Sequence, residues 1–206
     1  MRIKREEFQQ KALRVHSFLT DVPLHDVWAF HLHGGGDGRT LRDFRALWSP
    51  DNVQQISPVV EGLFKLRRAL GSLLGWDGEK HVAAGSSYVH RLTDADRARS
   101  LDKSESPAIG PFWSIYAFEN EVLEETMNAT VHAFSLMAME PATDGYTVYW
   151  AIYVKKASWL TPIYMTLIDP FRRHIVYPAI IKKLERAWTS AYGCDEKPNE
   201  DTTRSC

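Results

Sequence analysis

An α+β domain, with a curved antiparallel sheet lying against a long C-terminal helix, is the fold class that the 206-residue sequence predicts. Three observations carry it. Between residues 111 and 156, three stretches, FWSIYAFENEVLEE, ATVHAFSLMAME and YTVYWAIYVKK, are rich in the aromatic and β-branched residues that suit a pleated surface. From Trp159 to Tyr192, apolar residues recur at helical spacing (Ile163, Leu167, Phe171, Ile175, Ile181, Leu184, Trp188 and Tyr192), so one long side needs something to lie against. The first half holds shorter helical patterns cut by glycine and proline.

Taken in order, residues 1–11 form a charged leader, mobile or loosely docked, with Phe8 its one large apolar group. A strand is expected from about Ala12 to Leu19. A helix then starts near Pro23 with Asp21 as N-cap and Leu24, Val27, Trp28 and Leu32 as its buried stripe, and GGGDG stops it. Two shorter helices follow the first strand, LRDFRALW and PVVEGLFKLRRALGSLLGW, the second with Val60, Leu63, Phe64, Leu70, Leu73 and Leu74 on one face. Residues 77–85 are loop-like, SSYVHRLTD is a short strand, and ADRARSLDKSESPAIG is a charged connector. Each of the three long stretches is then one strand. PATDG has the length of a hairpin turn, with Asp144-Gly145 at its tip. Thr161-Pro162 opens the C-terminal helix. Asp169-Pro170 and Pro178 kink or segment it, because an interior proline removes a backbone hydrogen bond and clashes with the preceding turn. The domain therefore spans residues 12–192 and leaves 193–206 as a polar, disordered tail.

This order is that of a helix-grip fold. The segments FENEVLEETMNATVHA, VYWAIYV and PFRRHIVYP, and most specifically Asn120-Glu121 and Pro170-Phe171-Arg172-Arg173, resemble the family catalogued as domain of unknown function 2867, grouped with the START-like, Bet v 1-like (SRPBCC) superfamily. The resemblance covers roughly residues 12 to 192. It implies a sheet wrapped on a long helix, often with a hydrophobic cavity between them, and brings no catalytic residues with it.

Composition narrows the partners. A hydrophobic content of 44% allows a sizeable core, roughly 70% of the unfolded surface at this length. The net charge of -1, with Lys and Arg evenly spread, argues against nucleic acid held by bulk charge. No apolar run reaches the roughly 18 residues of a membrane span. Cys194 and Cys206 sit in or beside the tail, where a bridge staples no core, so a cytoplasmic setting is expected.

Candidate chemistry is sparse. His33-Gly34-Gly35-Gly36 resembles an esterase oxyanion loop, but no G-x-S-x-G nucleophile elbow occurs in the chain, and the glycines read as a helix stop. His31-x-His33 invites a metal, yet on a helix that spacing points the rings apart and no third ligand can be named, so no metal or other cofactor is assigned. Glu119, Glu121 and Glu125 share one face of a strand, as a solvated face or as an acid–base pair. His132 alternates with Phe134 and Leu136 and points inward with them. Arg172, Arg173 and His174 can hold an anionic head group or form surface ion pairs.

The leading expectation is a container for a hydrophobic or amphipathic small molecule, in a cavity between sheet and C-terminal helix. Its lining is drawn from Tyr116, Phe118, Glu121, His132, Phe134, Trp150, Ile152, Met165, Phe171 and Tyr177. One alternative is an enzyme of cyclase, hydratase or hydrolase type using Glu121 or His132. Another is a non-catalytic interaction subunit or homodimer, since Trp150 and Ile152 alternate with Tyr149 and Tyr153 and one set must be covered or exposed. The sequence leaves open which set faces inward, and equally whether the rings fill a solid core.

Overall fold

The computed structural model describes residues 1–47, 87–101, 107–109, 112–127, 131–156 and 160–193. The expected helix over 58–76, the loop over 77–85, the connector's residues 102–106 and the tail from 194 lie outside them. Among the described residues, six strands form one antiparallel sheet: β1 (Leu24–His33), β2 (Pro107–Ile109), β3 (Phe112–Ala117), β4 (Glu121–Met127), β5 (Val131–Ala142) and β6 (Gly145–Lys156). Their order is β1-β6-β5-β4-β3-β2. The last strand lies beside the first, and the rest is a meander.

Two expectations at the start of the chain are reversed. Residues expected as a strand hold a short helix, and residues expected as a helix are β1. Leu24-x-x-Val27-Trp28 satisfies helical spacing, but Phe30 and Leu32 are buried while His31 and His33 between and after them are not, the period of a strand. Pairing decides the matter. From Asp26 to His33, β1 runs residue by residue against β6, Trp28 opposite Trp150 and Phe30 opposite Val148. FWSIYAFENEVLEE is likewise two strands, because Phe118–Asn120 turn the chain from β3 into β4.

The α-helices among the described residues are α1 (Arg5–Gln9), α2 (Val15–Phe18), α3 (Leu41–Ala46), α4 (Asp94–Arg99), α5 (Leu160–Phe171) and α6 (Tyr177–Tyr192). LRDFRALW gives α3, capped as a reciprocal box by Thr40 and Asp43. SSYVHRLTD, expected as a strand, is a 3₁₀ turn over Tyr88–Arg91, and the expected connector contains α4, started by a second reciprocal box of Thr93 and Asp96. In both, a Thr-x-x-Asp spacing lets side chains take up backbone N–H groups at the helix start.

The helical run from Leu160 to Tyr192 passes through Pro170 but changes its winding between the prolines: Arg172–Val176 is a π-helical segment joining α5 to α6. Pro178 has no N–H to donate to the carbonyl of His174, and a locally wider turn adjusts the ladder there. The expected break is thus a change of pitch.

The sheet is covered on both faces. Against one face lie α3, α5 and α6, burying Phe30, Met137, Met139, Val148, Trp150 and Ile152 with Phe44, Met165, Ile180, Leu184 and Trp188. Against the other lie the N-terminal residues and the 3₁₀ turn, burying Tyr116, Phe134, Leu136, Tyr149 and Tyr153 with Phe8, Val15, Phe18, Leu19 and Tyr88. The first eleven residues are therefore docked: Phe8 is fully buried, and the backbone of Met1 and Ile3 bonds to Ala29 and Val27 along the free edge of β1.

The glycine loop after β1 is a socket. Gly35 (φ +94°) faces the fully buried Trp188, whose indole N–H donates to the carbonyl of His33 at 3.1 Å. The N–H of Gly34 donates to Asp144 and that of Gly35 to Tyr192, so these donors close the hairpin tip and the end of α6 onto β1. A Cβ at Gly35 would lie 2.6 Å from Trp188 Cζ2, and its φ is disfavoured for other residues. Gly35→Ala is therefore expected to lower stability by about 1–3 kcal/mol in urea unfolding and to shift the Trp emission spectrum.

Candidate functional site

The sheet divides the ten residues expected to share one lining. Tyr116, Phe118, Glu121, His132 and Phe134 are on the face covered by the N-terminal residues, whereas Trp150, Ile152, Met165 and Tyr177 pack together on the helical face. Phe171 stands 43% exposed at the end of α5. Trp150 and Ile152 thus face the helix, while Tyr149 and Tyr153 are covered by the chain's own N-terminal segment, which removes the reason given above for a covering partner.

Glu121 and Glu125 do share a face of β4, but both are buried. Glu121 accepts from the backbone N–H of Arg14 (2.8 Å) and Val15 (2.9 Å) at the start of α2 and from the Tyr116 hydroxyl (2.5 Å). Burial, with the Glu121 charge beside it, pushes the Tyr116 phenol well above its ordinary range, so it stays a donor. The carboxylate is thereby engaged in fastening the N-terminal segment to the sheet. Glu125 accepts from the Ser87 hydroxyl and the Tyr88 N–H, and lies 3.2 Å from Nε2 of His132. His132 packs against Tyr88 and Phe134, so this solvent-shielded carboxylate–imidazole pair is held among rings. Glu121→Gln is expected to cost about 2–3 kcal/mol in denaturant unfolding, as a charge-assisted acceptor becomes neutral and meets a surplus of donors, and to speed hydrogen exchange in α2.

A second polar cluster surrounds the π-helical segment. Asp26, buried on β1, accepts from Trp28 Nε1 at 2.9 Å and lies 3.5 Å from Arg172 Nη2. Asp169 meets His25 Nε2 (2.8 Å), Arg172 Nη1 (3.1 Å) and Arg173 Nη2 (3.1 Å). Arg172 also donates to the Tyr177 hydroxyl. Two carboxylates thus balance two guanidinium groups, and Arg172 and Arg173, considered above for an anionic head group, are engaged with Asp26 and Asp169. Burial is the main cause that pushes the Tyr177 phenol up to about 12, with Arg172 opposing it. A raised phenol contributes stability that is complete below its unfolded value near 10 and is lost as pH rises through about 12. Stability is expected to fall over that alkaline window in pH-dependent urea unfolding, and Tyr177→Phe to make the fall shallower.

A cavity among the described residues lies elsewhere. A half-open cleft of about 250 Å³ is lined by Arg42 and Arg45 of α3, Leu101 after α4, Ala117 and Phe118 at the end of β3, and Val122 of β4. Its floor is apolar and one wall is cationic. Arg45 is paired with Glu124 at 2.5 Å, and Arg99 stacks over the Phe118 ring at 4.4 Å. Arg42 is exposed and makes no ion pair among the described residues. Of the cavity residues, the lining expected from sequence included Phe118 alone. The available signal for the others was the Arg42/Arg45 spacing of three on a short helix whose Leu41 and Phe44 face inward, which puts both arginines toward the rim.

Residues 18–179 match the family model described as Protein of unknown function (DUF2867). No curated protein and no solved structure matches the chain. Among the described residues, no helix is long and apolar enough to cross a membrane.

Proposed function

The chain belongs to the DUF2867 family, and since that description names no activity, we propose from the geometry that it binds a small amphipathic anion in the cavity between α3 and the β3–β4 turn. The observation that carries the proposal is the pairing of an apolar floor, Leu101, Ala117, Phe118 and Val122, with the guanidinium groups of Arg42 and Arg45. Such a wall fixes a carboxylate or similar head group while the floor takes up a short hydrocarbon. With Arg45 balanced by Glu124, Arg42 is the lining cation that has no ion pair among the described residues, and it can take one negative head group. At about 250 Å³ the space lies below the roughly 300 Å³ at which pockets for drug-sized ligands begin, so the occupant has on the order of ten heavy atoms.

A helix-grip relation to the START-like proteins belongs to the same proposal. The order of the sheet, first strand beside last, and the long helical run against one face support it. The sheet–helix interface, where that fold often holds a cavity, is here packed with Trp150, Tyr177, Ile181, Leu184 and Trp188.

Octanoate is the test ligand. In isothermal titration and two-dimensional NMR it should bind saturably, with shifts at Ala117, Phe118 and Val122, and more tightly than octanol. Arg42→Glu should weaken it by about fivefold or more, the scale of one exposed charge pair. Leu101→Trp, at a half-exposed position on the rim, should block it without unfolding the chain. Absence of saturable binding, or binding indifferent to both substitutions, would sink the proposal.

A further inference from the structure

Two clusters among the described residues bring histidine and carboxylate donors within metal-ligating distance of one another: His25, Asp26 and Asp169, and His31, His33 and Asp144. Charge separates them. The first is already neutralised by Arg172 and Arg173, whose guanidinium groups lie against its carboxylates, and a cation there would meet two positive neighbours. The second has no ion pair with arginine or lysine among the described residues, and its carboxylate is approached by the two imidazoles.

We propose that His31, His33 and Asp144 form a site for a divalent transition-metal ion of the Zn²⁺ class. Three features support it. The first is strand geometry. On a helix the two imidazoles would diverge, but β1 places residues two apart on the same face, and their ring centroids are 4.4 Å apart. The second is the hairpin tip. β1 pairs with β6 so that His31 faces Thr147 and His33 faces Gly145, which sets the turn residue Asp144 beside both rings. His31 Nε2 is 2.8 Å from Asp144 Oδ1, and His33 Nδ1 is 3.0 Å from Oδ2. This approach depends on glycine: a Cβ at Gly145 (φ +147°) would lie 2.0 Å from the carbonyl oxygen of Leu32. The Gly34 N–H, donating to the Asp144 carbonyl at 2.8 Å, fixes the turn from the other side.

The third feature is an unsatisfied atom. His31 Nε2 is buried and, despite its closeness to Asp144, makes no hydrogen bond of proper direction. Buried polar atoms are seldom left this way, and a metal ion bound between the rings and the carboxylate would take up that lone pair. Two imidazole nitrogens and one carboxylate oxygen suit Zn²⁺, Co²⁺ or Ni²⁺ better than the all-oxygen preference of Mg²⁺ or Ca²⁺. Three protein ligands also leave a coordination position for water or an exchangeable group. His33 is 75% exposed in its side chain and Asp144 66%, so an ion reaches the site from solvent.

The test is a titration of the tag-free full chain carrying Cys194→Ser and Cys206→Ser, which excludes thiolate binding. Zn²⁺ uptake is followed by calorimetry and Co²⁺ uptake by visible absorption. One equivalent of Zn²⁺ should bind, and Mg²⁺ in large excess should not displace it. His31→Ala, His33→Ala and Asp144→Asn should each weaken binding by about tenfold or more. His174→Ala, at an exposed histidine elsewhere, should not. Because His33 projects into solvent, its replacement leaves the fold intact, and an unchanged circular dichroism spectrum verifies this. The proposal is overturned if no stoichiometric uptake occurs, if His33→Ala binds like the parent chain, or if Mg²⁺ competes on equal terms.

Discussion

The constraint on which the structure depends is that its two longest strands, β5 and β6, are largely apolar on both sides. In β6, Tyr146, Val148, Trp150, Ile152 and Val154 turn one way, and Tyr149, Ala151 and Tyr153 the other, all buried. A sheet of this kind needs two covers, since either face alone in water would leave a contiguous apolar patch. The long helical run supplies one. The other is assembled from short pieces, α1, α2 and the 3₁₀ turn, that have little helical stability of their own. This is why charged groups sit deep beneath them: Glu121 and Glu125 receive the N–H groups that these short pieces cannot satisfy internally.

The same requirement explains why much of the fold was legible in the sequence and the lining was not. Strands β5 and β6, the hairpin at Asp144-Gly145 and the long helical run follow from composition and period over a dozen residues or more. At residues 12–33 both periods fit locally, and Pro23 resembled a helix start. The choice was made by pairing with β6 some 120 residues further on, which no local window contains. Glu121, Phe134, Trp150 and Tyr177 all have the character of pocket residues. Whether they line one space depends on which face each strand presents, and a sheet covered on both sides sends half of them away from the other half.

Local error also propagated into chemistry. His31-x-His33 on a helix is two unrelated side chains, while the same spacing on a strand beside a hairpin tip is a pair with a carboxylate between. HGGG looked like a set of anion-binding amides, yet two of those amides are bonded to Asp144 and Tyr192, and Gly35 makes room for Trp188. In each case the residue type was informative, and the backbone conformation decided what it meant. Asp26 carried a signal of its own: an acid at an inward strand position between apolar neighbours requires partners, which it finds in Trp28 and Arg172.

The π-helical segment at Arg172–Val176 bears on the phase of everything that follows it. A wider turn takes up about one residue more than an α-turn, and an α-helix advances about 100° per residue, so the segment absorbs a residue that ordinary winding would convert into a rotation of α6 against the sheet. Winding all five residues as ordinary α-helix would rotate Ile180, Leu184 and Trp188 out of register with the core and bring Lys182, Lys183 and Arg186 toward it, whereas loss of one residue there lets ordinary winding resume with the same face on the sheet. The tolerance of this helix to deletion is therefore uneven: one residue can be lost within the π-helical segment, while the same loss inside α6 turns Leu184 and Trp188 away from the core and pulls Tyr192 off the glycine loop.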